Sequence, residues 1–148
     1  MQCAQAAERE IAAVLATRPE TAALTVQIGV GPLVAAAVLA YLPAGVLGNP
    51  KAAAAYAGLH PRQEQSGQRD RSRLSKQGCP QLRRYLYLAA MCAIQRDPQI
   101  QAWYRSLCAR GKAPQSATCA VAHKLLRQLM GKIRELRAHQ PVILPLAA

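Results

Sequence analysis

Apolar positions recur along this chain at helical spacing, and glycine and proline separate the helices they predict. Gln2–Thr17 is Ala-rich, with Glu8, Arg9 and Glu10 ahead of the apolar stretch Ile11–Leu15. It reads as a helix that stops near Arg18-Pro19, because the residue before a proline resists the α conformation. A short helix over Glu20–Gln27 follows. The tight turn Gly29-Val30-Gly31-Pro32 then places Pro32 at the first position of a helix running to about Leu42. Ala44–Asn49 reads as a Gly-containing loop, and Pro50 to Ala57 as one short helix capped by Gly58.

From His60 to Pro80 the pattern breaks. No helical apolar stripe exists there, and Gly67 and Gly78 interrupt it, which predicts an extended basic loop or a short β-hairpin. Regular structure resumes at Gln81, where Leu82, Tyr85, Leu86, Ala89 and Ala93 mark one helix face. Asp97-Pro98 opens another helix, through Trp103, Tyr104 and Leu107 to the break at Gly111. The last helix is expected from about Pro114 to Ala138. Val121, Leu125, Leu129, Ile133 and Leu136 should face the core, with Lys124, Arg127, Arg134 and Arg137 outside. Pro141–Ala148 is a tail. The fold class is therefore mainly α: a small helical domain with one basic excursion between helices.

Composition narrows this further. The 148 residues amount to about one domain. A chain of that size buries roughly 68–70% of its unfolded surface, so it needs no disulfide or metal to fold. The hydrophobic share of 51% excludes wholesale disorder. Aromatic residues make up only 4%, with no Phe, so Ala and Leu supply most of the apolar mass; packed helices suit this better than a β-sandwich. Thr21–Pro50 carries no charge and resembles a membrane span. However, Gly29, Gly31, Pro32, Pro43, Gly45 and Gly48 interrupt it, and the one continuous helix, Leu33–Leu42, has the length of a buried core helix. Met1–Ala7 lacks the basic start and long apolar run of a signal peptide.

Cys3, Cys79, Cys92, Cys108 and Cys119 are odd in number and lack C-x-x-C spacing. That argues against a zinc ribbon or a disulfide scaffold and for reduced, structural thiols in a cytoplasm. His60, His123 and His139 are scattered, and the acidic residues do not cluster, so no metal site is expected in this chain.

Charge changes the picture most. Lys+Arg number 19 against 7 Asp+Glu, a net charge of +12. Nucleic acid is the first partner this implies, an anionic membrane surface the second. Three constellations fit the first. Gln27–Pro32 carries the hydrophobic-Gly-x-Gly turn of a helix-hairpin-helix motif, in which Gly29 and Gly31 let the backbone approach a phosphate and free N–H groups donate to it. An ordinary Gly-Pro turn is the plain alternative. The basic excursion sets Arg62, Arg69, Arg71, Arg73 and Lys76 among Ser66, Ser72 and Ser75. At about 20 residues it exceeds the usual length of an idle connection. Phosphoryl transfer needs this pairing of a nucleophile with fixed positive charge. Spacing alone does not decide which serine acts, and each one reads equally well as a turn residue. Finally, Arg83, Arg84, Lys124, Arg127, Arg134 and Arg137 form basic helix faces. Singly they are solvated charges; together they supply sequence-independent phosphate affinity.

The order of short motifs carries a resemblance. Gly29-Val30-Gly31-Pro32, Ala55-Tyr56-Ala57-Gly58-Leu59-His60-Pro61, Gln65-Ser66-Gly67, Leu74-Ser75-Lys76-Gln77-Gly78 and Leu82-Arg83 follow one another at fitting distances. Tyr104, Leu107, Gly111-Lys112 and Lys124-Leu125-Leu126 follow downstream. From about Ala23 to Leu136 the chain resembles the C-terminal transposase domain of the "IS one-ten" insertion-sequence family, the DEDD transposases. That family usually has Pro where Ile28 stands, and Asn or Asp where Cys79 stands.

The resemblance implies site-specific DNA recombination guided by a structured RNA. It also implies a homo-oligomer in the full-length enzyme and an N-terminal RuvC-like domain holding a divalent metal, Mg in expectation. It makes Ser66 the nucleophile, forming a transient phosphoserine link to DNA. Chemistry makes Arg62, Arg69, Arg71, Arg73 and Lys76 the candidate phosphate clamps, and the resemblance does not fix which of them serve. Residues 1–18 then read as the tail of a connecting helix, 19–140 as the transposase domain and 141–148 as a tail. The RuvC-like half would act in cis or in trans, and the chain alone would bind DNA without recombining it. Two other readings stand beside this one. One is a non-catalytic helix-hairpin-helix nucleic-acid-binding module, such as a degenerate transposase remnant. The other is a membrane-surface protein, which the chain's charge layout fits poorly.

Overall fold

Proline opens each of the six α-helices whose ends lie among the described residues. The computed structural model describes residues 17–59, 61–64, 71–74 and 78–139, with 6, 9–11, 13 and 14 ahead of them; at 61–64 and 71–74 the description is of the backbone. The helices are α1 (Pro19–Thr25), α2 (Pro32–Tyr41), α3 (Pro50–Tyr56), α4 (Pro80–Arg96), α5 (Pro98–Ala109) and α6 (Pro114–His139), with a 3-10 turn at Ala44–Val46. At the first helical position the missing N–H is no loss, and the ring already holds a helical φ. The residue before proline is pushed to extended backbone, as Arg18, Gly31, Asn49, Cys79 and Asp97 all are. Two of these also cap with a side chain. Asn49 Oδ1 accepts from the amides of Lys51 and Ala52 at 3.1 and 3.2 Å. Asp97 Oδ1 accepts from those of Gln99 and Ile100 at 2.9 and 3.3 Å.

The mainly helical architecture agrees with the pattern of the sequence. α1 is shorter than expected and ends at Thr25, and Ala44–Asn49 contains the 3-10 turn. Of the expected first helix, residues 6, 9–11, 13 and 14 are helical and exposed, Ile11 and Val14 by 41% and 65%. The tail 141–148 lies outside the described residues.

α4 is the hub. It packs against α6, α2 and α5, while α6 also receives α1, α3 and α5. Leu82, Leu86, Ala89, Ala90 and Ala93 of α4 are buried, as are Val121, Leu125, Leu126, Leu129, Met130 and Ile133 of α6. Each fully buried Leu contributes about 1.5–3 kcal/mol relative to exposure. Leu136, expected in this core, is only half-buried because it lies on the last turns of α6. α2 explains the uncharged stretch. Val34, Ala35, Ala37 and Val38 are all buried, so the helix is apolar on more than one face and sits inside the bundle. Its 10 residues rise only about 15 Å, half a bilayer core. Among the described residues no helix is long and apolar enough to cross a membrane.

Candidate nucleic-acid interface

The basic excursion leaves the bundle through a tight neck at the end of α3. α3 ends in a Schellman closure: the Leu59 amide donates to Ala54 O at 2.9 Å and the Gly58 amide to Ala55 O at 3.0 Å. Leu59 is 4% exposed, so the chain leaves the helix anchored in the core. The returning strand closes on the same spot. The Cys79 amide donates to Tyr56 O at 2.7 Å. Gly78 has φ +109°, and a Cβ there would collide with the Tyr56 carbonyl oxygen while meeting Gly58 N at 2.8 Å and Ala55 O at 2.9 Å. Only glycine fits such a φ and such an approach. Both ends of the excursion are therefore pinned to the end of α3, and Cys79 leads directly into α4.

Beyond the neck, β1 (Pro61–Glu64) pairs antiparallel with β2 (Arg71–Leu74). The register sets Arg62 opposite Arg73, Gln63 opposite Ser72 and Glu64 opposite Arg71. Cross-strand partners, and positions two apart on one strand, share a face of a ladder. Arg62, Glu64, Arg71 and Arg73 thus fall together. Residues 65–70 join the strands; Ser66 and Arg69 within them, and Lys76 after β2, lie outside the described residues.

The Gln27–Pro32 turn lies against the hub helix. Gly29 has φ +88°, and a Cβ there would come 2.5 Å from Ala89 O and 2.9 Å from Ala93 Cβ. Its lack of a side chain is used for helix packing, an origin that the sequence does not separate from phosphate approach. Gly31 differs: nothing stands within 4 Å of its would-be Cβ, and it is the exposed N-cap of α2, with no side-chain cap bond. The first amides of a helix lack intrahelical partners, so Gly31 and Leu33–Val34 supply the donors at the start of α2. Ile28, where the family usually has Pro, is 45% exposed.

The basic helix positions divide three ways. Arg84 is exposed on α4. Arg83 is half-buried on the same helix, and its charge offsets part of the upward push that burial gives the Cys119 thiol. Lys124 is exposed on α6, with Nζ 4.8 Å from the ring centroid of Trp103 on α5. Around this pair runs an open groove lined also by Ala120, His123, Arg127 and Gln128. The pattern of the sequence does not show this groove, since its halves lie on different helices. A lone Trp and a cationic i, i+3 pair are the only signal of it that the chain carries.

Cys79, Cys92, Cys108 and Cys119 are free, and burial holds the Cys119 pKa up, away from thiolate character. Tyr104 is held above its ordinary pKa, first by a hydrogen bond with Cys108. Among the described residues no three His, Cys, Asp or Glu stand together as metal ligands.

Comparison with known proteins places this arrangement. The family described as "Transposase IS116/IS110/IS902 family" matches residues 22–105, more than half of the chain. The "Insertion element IS110 uncharacterized 43.6 kDa protein" of Streptomyces coelicolor is 32% identical over 134 residues, covering 88% of this chain and 33% of that protein. The chain therefore spans about a third of the length of the curated relative it matches.

Proposed function

Because the chain belongs to the Transposase IS116/IS110/IS902 family, we propose that it is the serine-bearing part of an insertion-sequence transposase, acting on DNA in transposition. In this reading Ser66 is the nucleophile. Its Oγ attacks a backbone phosphorus and forms an O–P bond as the bond to one deoxyribose oxygen breaks. The serine proton leaves to solvent or a base, and the departing oxygen takes up a proton to become a hydroxyl. A hydroxyl of a second strand then attacks the phosphoserine and restores the serine. One phosphodiester is exchanged for another, so no external energy source is needed. Arg62, Arg71 and Arg73 would stabilise charge on the non-bridging oxygens, with Arg69 and Lys76 beside them. Gly31 at the start of α2, with Arg83 and Arg84 on α4, would hold the duplex through its phosphates, and Lys124 on α6 would add a further contact to the nucleic acid.

The single observation that supports this most is the neck. A hairpin whose register groups three arginines is tied to the bundle at Gly58, Leu59 and Gly78, and Ser66 belongs to the residues that join its strands. An idle surface loop has no need of such an anchor. In the same proposal residues 1–18 are the end of a helix from a RuvC-like domain, 19–140 form the transposase domain, and a structured guide RNA and further copies complete the enzyme. The divalent metal and its carboxylates belong to the RuvC-like domain, and no step is assigned to them here.

The test combines this chain with a RuvC-like partner, substrate DNA and guide RNA, and traps the covalent protein–DNA adduct. The native chain should give an adduct that Ser66→Ala abolishes while DNA affinity stays unchanged. An adduct persisting in Ser66→Ala removes the nucleophile. Absence of an adduct in the native chain, with binding intact, leaves the non-catalytic helix-hairpin-helix module as the function.

A further inference from the structure

The groove between α5 and α6 differs in chemistry from both the hairpin and the α2 turn. Ala120, His123, Lys124, Arg127 and Gln128 recur at i, i+3, i+4, i+7 and i+8, so they share one face of α6. Across from them stands Trp103, half-buried, its body packed on the core and its ring facing the Lys124 ammonium at 4.8 Å. The space is about 660 Å³ and open, and among the described residues no carboxylate lines it. Lys124 and Arg127 are both exposed.

We propose that this groove binds an unpaired stretch of DNA, with one base stacked on Trp103 and the adjoining phosphates held by Lys124 and Arg127. The inference rests on the reading above only for the identity of the polymer. The pairing of the Trp103 ring with exposed cations carries it. A flat aromatic with cations on one side matches a base with its phosphate, the arrangement by which single strands are held without sequence preference. A paired base keeps its faces within the stack and cannot offer one to an indole. The Lys124 ammonium occupies the ring face in the free protein, yet base–indole stacking outweighs one exposed cation–π contact. The lysine therefore swings to the phosphate as the base enters. Strand exchange separates base pairs, so unpaired DNA is present where such a groove is useful.

Trp103 is the chain's one tryptophan, so its emission reports on this groove and nothing else. Titration of the 148-residue chain with an oligothymidylate strand should quench it, whereas a blunt duplex of equal length, bound as judged by anisotropy, should not. Trp103→Leu should weaken strand binding about tenfold, with Trp103→Phe recovering most of the loss. Lys124→Ala with Arg127→Ala, both at exposed positions, should flatten the salt dependence of strand binding by roughly 0.7 for each phosphate no longer neutralised. Duplex affinity should barely move in the tryptophan variants.

Bound strand without quenching overturns the proposal, as does unchanged strand affinity in the folded double variant. An oligouridylate that binds and quenches much more strongly than oligothymidylate overturns the choice of DNA. Duplex binding without strand quenching removes this groove alone. Strand quenching without a Ser66 adduct removes the nucleophile alone.

Discussion

The buried positions of α4 are Leu82, Leu86, Ala89, Ala90 and Ala93, whereas the facing positions of the hairpin are Arg62 with Arg73 and Glu64 with Arg71. In the bundle, small side chains bring helices close: Ala35, Ala90, Ala93, Ala117 and Ala122 are fully buried. In the hairpin, a directly opposed arginine pair opposes strand pairing, and the Glu64–Arg71 pair returns a comparable amount. Stability is therefore concentrated in the bundle, and the hairpin keeps a charge layout that folding alone does not select. Among the described residues the two regions are joined at Gly58, Leu59, Gly78 and Cys79. It follows that substitutions at buried positions of the bundle should move unfolding midpoints, and substitutions in the hairpin should move DNA binding.

The sharpest way to break that division uses two glycines of one turn. Gly29→Ala puts a Cβ 2.5 Å from Ala89 O at φ +88°. The left-handed backbone costs about 1–2 kcal/mol and the overpacking about 1–3, less a few tenths returned through the unfolded chain. A loss of about 3 kcal/mol in urea unfolding is expected from these terms together. Gly31→Ala meets nothing within 4 Å at φ −83°. The weaker N-cap and the stiffer unfolded chain nearly cancel there, so stability should stay within about 0.5 kcal/mol. Equal losses at both positions would show that the turn is one packing unit, with no open end at α2.

These glycines also show what is legible in the sequence. Helix positions follow from local rules: the prolines at the first helical position, the Asp97 cap and the 3.6-residue stripes of α4 and α6 are all contained in short windows. The partner of Gly29 is Ala89, far along the chain, and that of Gly78 is Tyr56. No local window contains such pairs, so Gly78 reads only as a breaker and Gly29 only as a turn. The Trp103–Lys124 groove is hidden for the same reason. Ser66, Arg69 and Lys76 stand on resemblance and chemistry, since they lie outside the described residues.

A smaller effect tests whether the bundle owes anything to its caps. Asp97 holds two amides at the start of α5, a helix with one buried residue, Ile100. Asp97→Ala should cost about 1 kcal/mol in urea unfolding and leave DNA affinity unchanged. Because α5 supplies Trp103, hydrogen exchange should rise most at its first turn. A loss of affinity for duplex DNA in this variant would tie α5 to the hairpin's function and erase the boundary drawn here.

The smallest expected change in stability is in the hairpin itself. Arg62→Gln with Arg73→Gln removes a directly opposed like-charge pair from the ladder. By cross-strand energetics the unfolding free energy should stay within about 0.5 kcal/mol, leaning towards gain. Binding should respond in the other direction. For each phosphate that these side chains no longer neutralise, the slope of log affinity against log salt should fall by roughly 0.9 on duplex DNA. If the slope is unchanged while stability rises, these arginines do not reach the backbone, and the hairpin's charge serves something other than DNA. If both stability and slope fall, the pair supports the ladder as well as the ligand, and the separation of bundle from hairpin fails at its outermost point.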